Sequence, residues 1–389
     1  MAQPALRNIV VLGSTGSVGT QTLDVVRGMA GSFRVVALSA HSRWEMLAEQ
    51  AKEFGPAAAA MGTEAGAALL AKALNGRPVE VFSGPDGLRR LASWDGADVV
   101  VSAVSGAAGL APAVAALERG KTLALANKEA VVMCGPLLMQ LAEQTGGVIL
   151  PVDSEHSAIF QLLRGVRAEQ VERIILTASG GPFYGMSRAE LDRVSPEEAL
   201  RHPTWRMGPK ITVDSATLMN KALEVVEARW LFGVPPERIK VLIHPQSVVH
   251  CMVELVDGAV LAHMGAADMR LPIQYALSYP ERVPGQARRL DLSRIPKLEL
   301  CEPDCEAFPA LALGYRVAQA GGTSGAVLSA ANEEAVRAFL SGRIRFTDIP
   351  RLAGMVLDAH EPAADATFEA AMAADGWARE ETERCLVSL

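Results

Sequence analysis

The stretch NIVVLGSTGSVGTQTLDVV, residues 8–26, decides how the chain begins to fold. NIVVL is a short β-branched run, TQTLDVV has helical character, and Gly13, Gly16 and Gly19 stand between them at G-x-x-G-x-x-G spacing. Glycines at a strand-to-helix turn let the backbone bend tightly and approach a pyrophosphate, which then rests on the helix N-terminus. The spacing departs from the G-x-G-x-x-G dinucleotide fingerprint, so a merely tight turn is the competing reading.

Outward from this loop, the runs RVVALSA, ADVVVSAV, TLALAN and GGVILPV follow, separated by Ala/Leu-rich amphipathic segments. Strands alternating with helices predict a parallel sheet covered on both faces, an α/β, Rossmann-like domain over residues 1–150. NAD enzymes place an acid against the ribose hydroxyls about twenty residues after the glycine loop. Here the second strand ends SAHSRWE, with Ser39, His41, Ser42 and Arg43 and no acid before Glu45. Hydroxyls and a guanidinium suit a 2′-phosphate, which favours NADP over NAD.

Residues 151–283 change texture. The runs RIILTAS, KITVDS, IKVLIHP, VVHCMVEL and AVLAHMG, with Asp257-Gly258 at a hairpin turn, predict an α+β domain with an antiparallel or mixed sheet. Residues 284–304, rich in proline and charge, read as a linker, and residues 305–389 as a C-terminal helical domain punctuated by Gly321-Gly322 and Gly342.

Composition narrows the function. The 389 residues are half hydrophobic, enough for two or three domains. Net charge is −7 with both signs interspersed, so nucleic acid and membrane surfaces are not expected partners, and an anionic substrate needs a local cationic cluster. Five scattered cysteines fit a reducing compartment, and Cys301 and Cys305 lack the further ligands of a zinc knuckle. The start, MAQPALRNIVVLG, shows no targeting pattern, and the uncharged run Val99–Leu117 carries too many Gly, Ser and Pro to span a bilayer; a cytoplasmic location is expected.

Three motifs carry candidate chemistry. VDSEHSAIFQ, residues 152–161, sets Asp153 and Glu155 two positions apart at the end of a strand, where alternation would point both into one space. Like charges that close are costly without a cation between them; alternatively the strand has ended and Asp153 or Ser154 caps a helix. Asn127, Lys128 and Glu129 follow the strand TLALAN, where ligands bind in such folds, although Asn127 suits a helix N-cap equally. In KITVDSATLMNKALEVVEARWLF, a strand leads through Asp214-Ser215 to a helix that places Lys221 one turn from Glu224 and Asn220 over Glu224; an ordinary surface pair is the alternative. Before it, HPTWRMGPK, with Trp205 between two prolines, reads as a lid over about residues 200–210, or as a plain surface turn.

Together GSTGSVG, NKEA, VDSEHSAIFQ, TASGGPF, HPTWRMGPKITVDSATLMNKALEVVEARWLF and HPQSVVH resemble, in order and over nearly the whole chain, the 1-deoxy-D-xylulose 5-phosphate reductoisomerase family. The resemblance implies an NADPH-binding domain, a catalytic and metal-binding domain, a linker and a helical domain, usually in a homodimer. It implies Asp153, Glu155 and Glu224 as ligands of Mg²⁺ or Mn²⁺, with Co²⁺ a further option. An all-carboxylate set without a ligand histidine is what hard cations take. It further implies Ser179, Ser215, Asn220 and Lys221 on the substrate phosphate, His202 and Trp205 in the lid, and Ser154 and Lys128 on the reacting oxygens. Thr15, Gly16, Ser17, Val18, Asn127, Glu129 and Gly208 would meet NADPH. Many members carry a glycine and a basic residue where this chain has Ala40, His41, Ser42 and Arg43, so the 2′-phosphate contacts differ here. A simple NADP-dependent dehydrogenase of a small phosphorylated aldehyde, or a non-catalytic NADP sensor, would need the glycine loop but not the three carboxylates.

Overall fold

The computed structural model describes residues 6–387; residues 1–5, part of the N-terminal targeting reading, lie outside them. In chain order the elements are β1 (Arg7–Leu12), α1 (Ser17–Gly28), β2 (Phe33–Ala40), α2 (Trp44–Phe54), β3 (Ala58–Met61), α3 (Glu64–Ala73), β4 (Glu80–Ser83), α4 (Gly84–Ala92), β5 (Val99–Ser102), α5 (Leu110–Glu118), β6 (Thr122–Leu125), α6 (Lys128–Thr145), β7 (Val148–Pro151) and α7 (Ser154–Leu162). They continue with β8 (Val171–Ala178), α8 (Arg188–Leu191), α9 (Pro196–Ala199), α10 (Pro209–Ala216), α11 (Met219–Phe232), β9 (Ile239–Ile243), β10 (Val249–Leu255), β11 (Val260–Met264), α12 (Arg270–Ser278), α13 (Ala310–Ala320), α14 (Ser324–Leu340), α15 (Asp348–Asp358) and α16 (Phe368–Leu386).

The chain forms two compact units. Among the described residues, the first comprises those up to 127, 138–157 and 268–287; the second comprises 128–137, 158–267 and those from 288 onward.

The first unit holds a seven-stranded sheet, ordered β4-β3-β2-β1-β5-β6-β7 with every pair parallel. The order reverses direction between β1 and β5, and the crevice beyond the carboxyl ends at such a point is where open α/β sheets bind ligands. The central β1 is almost wholly interior, with Ile9 to Leu12 inaccessible to solvent. Two strands, β3 and β4, escape the sequence pattern. AAAM is built of alanines, which have low strand preference, and is recognisable only because all four residues are buried in the sheet. α12 also belongs to this unit: Arg7 donates to the carbonyls of Leu277 (2.9 Å) and Tyr279 (3.2 Å).

The second unit holds a mixed sheet, β11-β10-β8-β9, in which β10 runs antiparallel to β8 and β11 while β8 and β9 are parallel. Around it α11 packs on α13, and α14 on α15 and α16. Phe183 and Phe339 meet Phe346 edge-on, with centroids 5.0 and 5.8 Å away, inside this core. The strand expected at KITVDS is corrected to a helix, α10. Gly208 is its N-cap and Pro209 sits at its first position, where the missing N–H costs nothing. The β-branched Ile211, Thr212 and Val213 follow because Val213 is fully buried and Thr212 bonds back to the Gly208 carbonyl (2.8 Å). Residues 284–304 are irregular apart from one short turn at Leu292–Arg294 and an antiparallel bridge between Cys301 and Ile243. No helix among the described residues is long and apolar enough to cross a membrane.

Candidate active site

In the first unit the glycine loop is a cradle shaped by absent side chains. Gly13 has φ +78°, and a Cβ there would lie 2.5 Å from the Ala103 carbonyl oxygen. One on Gly19 would lie 2.2 Å from the Gly13 oxygen, closer than any real contact. The Gly16 N–H closes the turn onto Gly13 O (2.9 Å), and Gly16 caps α1 without a side-chain bond to its first-turn amides. Those amides and the dipole behind them form an anion site. Thr15 is buried beside them, Ser17 exposed and Val18 half-buried.

The end of β2 divides the residues expected at the 2′-phosphate. Ser39 is buried, and its hydroxyl accepts from the Gly13 N–H (3.0 Å) while its carbonyl accepts from the Ser14 N–H (2.8 Å). It therefore supports the loop rather than offering a hydroxyl to a ligand, which corrects the expectation for that residue. Ala40 is buried; His41, Ser42 and Arg43 are exposed at the start of α2. Asn127 is buried, and its amide donates to the carbonyls of Val104 (2.9 Å) and Gly106 (3.0 Å), tying down the loop after β5.

β7 stops at Pro151 and α7 starts at Ser154, so Asp153 immediately precedes a helix and Glu155 lies in its first turn. The proximity of the two acids comes from the helix start, not from strand alternation. The Ser154 hydroxyl donates to Glu155 Oε2 (2.5 Å), and the Asp153 carbonyl accepts from the Ser157 N–H (2.8 Å). The expectation that no histidine stands among the acids also fails. His156, fully buried, places Nδ1 3.9 Å from Asp153 Oδ2, an i,i+3 pair readable as D-x-x-H once the segment is helical.

In the second unit, Glu224 is inaccessible to solvent and takes three donors: Lys221 Nζ at 2.5 Å, Asn220 Nδ2 at 2.6 Å and Lys128 Nζ at 3.4 Å. Lys221 and Lys128 are themselves buried, so the surface-pair alternative does not describe them. A buried carboxylate held by two buried ammoniums is a charged group whose members depend on one another for compensation. Asn220 Oδ1 is buried with no hydrogen-bond partner, an acceptor suited to a ligand hydroxyl. The group is aimed by an unusual residue: Leu218, between α10 and α11, holds φ +62°, a left-handed conformation that costs a leucine about 1–2 kcal/mol.

His202 organises the loop before α10. Its Nδ1 accepts from the backbone N–H groups of Thr204 (3.1 Å) and Trp205 (2.9 Å), so the proton resides on Nε2, which donates to Ser179 Oγ at 3.0 Å. Burial holds this imidazole below its usual pKa, in agreement with a neutral ring. Ser179 Oγ also accepts from Gly181 N–H (3.2 Å), which leaves its own proton for a ligand. A Cβ on Gly181 would lie 2.9 Å from the Ser215 carbonyl oxygen, so the loop after β8 runs flush with the end of α10 and brings Ser179 near half-buried Ser215. Trp205 is half-buried, its ring 6.5 Å from that of His250. Gly208 is exposed, while Glu129 is buried and bonded by Lys210 (3.0 Å). Burial raises the Glu129 pKa, and the Lys210 ammonium outweighs it, leaving the carboxyl below its ordinary value.

A glycine cradle at the switch point of a parallel sheet, with a buried carboxylate–ammonium group in a second unit, defines the class of dinucleotide-dependent α/β enzymes. The sequence comparisons specify it further. Residues 9–135 match the family model of 1-deoxy-D-xylulose 5-phosphate reductoisomerase, residues 149–232 that of its C-terminal domain, and residues 264–381 that of the DXP reductoisomerase C-terminal domain. A relative of that name from Thermomicrobium roseum is 53% identical over 373 residues, 95% of each chain. A solved structure of the Zymomonas mobilis protein of that name in complex with NADPH superposes with TM-score 0.92 at 43% identity, covering 100% of both chains. A DOX-P reductoisomerase structure in complex with NADPH, fosmidomycin and magnesium superposes with TM-score 0.93 at 37% identity over 98% of both chains. The chain belongs to the 1-deoxy-D-xylulose 5-phosphate reductoisomerase family.

Proposed function

We infer that the chain converts 1-deoxy-D-xylulose 5-phosphate to 2-C-methyl-D-erythritol 4-phosphate in an NADPH- and divalent-metal-dependent rearrangement and reduction, a step of the non-mevalonate isoprenoid route. The observation that carries this reading is Glu224, fully buried with Lys221, Lys128 and Asn220 on its two oxygens. A simple dehydrogenase has no use for such a group.

The residues present fit both groups. The Gly13–Gly19 cradle, which a Cβ would fill, fits a pyrophosphate on Thr15, Gly16, Ser17 and Val18. Ser42 and Arg43 would receive the 2′-phosphate, and Glu129, Asn127 and Gly208 would border the nicotinamide end. Asp153, Glu155 and Glu224 supply oxygen donors of the kind Mg²⁺ or Mn²⁺ takes. When bound, the cation supplies Lewis acidity toward carbonyl and hydroxyl oxygens and the reduced nicotinamide supplies hydride.

The chain's own residues bind and orient. Ser179 and Ser215 offer hydroxyls to the substrate phosphate, and Lys221 and Asn220 offer charge and amide. Ser154 and Lys128 contact the reacting oxygens, Ser154 as an acceptor while its proton stays in the bond to Glu155 Oε2, with the Lys128 ammonium favouring negative charge as it develops there. His202, as its Nε2–H tautomer, holds Ser179 and the turn before Trp205, and the Trp205 indole excludes water when the loop covers the substrate. Residues 1–150 would serve as the cofactor domain, 151–283 as the catalytic domain with its lid at about 200–210, 284–304 as the linker and 305–389 as the helical domain.

The test is NADPH oxidation with 1-deoxy-D-xylulose 5-phosphate, with and without a chelator. Turnover that vanishes with chelator and returns with Mg²⁺ or Mn²⁺ supports the reading; metal-independent turnover, or none with this substrate, overturns it. A homodimer is part of the same proposal. β11 is a sheet edge, and Val256 (61% exposed) and Val260 (51% exposed) lie at its hairpin, an apolar patch suited to a second copy. Light scattering on the purified protein tests it. Five free cysteines among the described residues fit a cytoplasmic location.

A further inference from the structure

Behind the site residues of the second unit runs a polar chain that starts at Glu129 and whose other members, Lys210, Asp214 and Asn332, have no expected role. Lys210 Nζ lies 3.0 Å from Glu129 Oε1 and 2.8 Å from Asp214 Oδ2. The other Asp214 oxygen accepts from Asn332 Nδ2 on α14 (2.8 Å). Asp214 and Asn332 are 1% and 0% exposed while the Lys210 side chain is 25% exposed, so the inner end of this chain is sheltered from water and its lysine lies partly at the surface. α14 also packs directly on α6, two turns earlier on the same face. There a Cβ on Gly325 would lie 1.8 Å from the Val132 carbonyl oxygen.

The placement of Lys210 gives the chain its significance. It is the second residue of α10, at the root of the loop carrying His202 and Trp205, and Asp214 directly precedes Ser215. Its other partner, Glu129, directly follows Lys128, whose ammonium reaches Glu224. Replacing the Lys210 ammonium by an apolar group would leave two carboxylates without their shared cation, and each would seek another partner.

We propose that Lys210 is a positioning residue of the reaction: wedged between Glu129 and Asp214 and backed by Asn332, it locks the first turn of α6, with Lys128, to the helix that carries Ser215. The proposal rests on the functional reading above. It predicts that catalytic geometry, and not only stability, depends on a residue that touches neither substrate nor metal.

Steady-state kinetics with 1-deoxy-D-xylulose 5-phosphate, NADPH and Mg²⁺ test it on the full chain. Supporting groups behind a site typically cost tenfold to a hundredfold when lost, so Lys210→Met should lower kcat by about that factor at temperatures where the protein remains folded. Lys210→Arg, whose guanidinium spans two carboxylates, should restore most of it. Asn332→Leu should lower kcat less. Parent-like kcat in Lys210→Met, or an arginine variant no better than the methionine one, overturns the proposal. Should Lys210→Met fail to fold, Asn332→Leu decides: reduced kcat supports positioning and parent-like kcat overturns it. Should the parent itself show no turnover, the functional reading falls and hydrogen exchange decides. Faster exchange at residues 128–133 in either Lys210→Met or Asn332→Leu supports the lock, and unchanged exchange in the folded variant overturns it.

Discussion

The glycine loop of the first unit and the charged group of the second are built in opposite ways. The loop works by what is missing: no Cβ at Gly13 or Gly19 lets backbone close on backbone, and the helix presents its own amides. The second group works by what is added: buried Lys128 and Lys221 and half-buried Asn220 are packed around Glu224 and depend on one another. A backbone cradle fails by steric collision, whereas a buried charge group fails by leaving an ion unpaired.

Glu224→Ala should show the largest effect and break the second region outright. Turnover should fall below detection, and removing the carboxylate from between two buried ammoniums should cost about 3–5 kcal/mol of stability. NADPH binding, assigned to the other unit, should persist. Fluorescence titration beside thermal unfolding checks both; retained metal-dependent turnover would refute the role of Glu224.

Gly19→Ala should break the first region. Its Cβ would meet the Gly13 oxygen at 2.2 Å, and overpacking of this kind costs about 1–3 kcal/mol. NADPH affinity should drop far more than in Gly16→Ala, whose Cβ would lie 3.2 Å from that same oxygen. Equal affinities in the two variants would show that the cradle is not the binding surface.

A smaller effect sharpens the edge of the first region. Arg43→Ala should weaken the preference for NADPH over NADH in kcat/KM, because a charge-assisted contact contributes about 1.5–3 kcal/mol. An unchanged ratio would mean that Arg43 points away from the 2′-phosphate.

The smallest effect is a pH dependence at His202. Its folded pKa is depressed, so as pH falls through the ordinary imidazole range, about 6.5, the unfolded chain takes up a proton that the folded loop refuses. Stability therefore rises with pH through this window, and on acidification the contribution of His202 is lost. Protonation of Nδ1 would also release the Thr204 and Trp205 amides. Thermal unfolding of the parent against His202→Asn, across neutral to mildly acidic pH, should show a steeper acid loss in the parent.

The amino-acid sequence by itself determined the parallel-sheet unit, the glycine cradle, the mixed second sheet and the helical C-terminal region, because these follow from sterics and periodicity within a few residues. It also carried the family motifs. It misassigned α10, since Ile211, Thr212 and Val213 favour a strand until Pro209 and the burial of Val213 outweigh them. With that helix went the pairing of Lys210 with Asp214, an i,i+4 contact invisible in a strand. For the same reason the helix start at Ser154 hid the pairing of Asp153 with His156. Tertiary structure alone decided that Lys221 and Glu224 are a buried pair and not a surface one, and that Lys210 finds Glu129 81 positions away. An ion pair has the same local spacing whether wet or dry; only the packing of the helices around it removes the water, and with the water goes the screening that makes surface pairs weak.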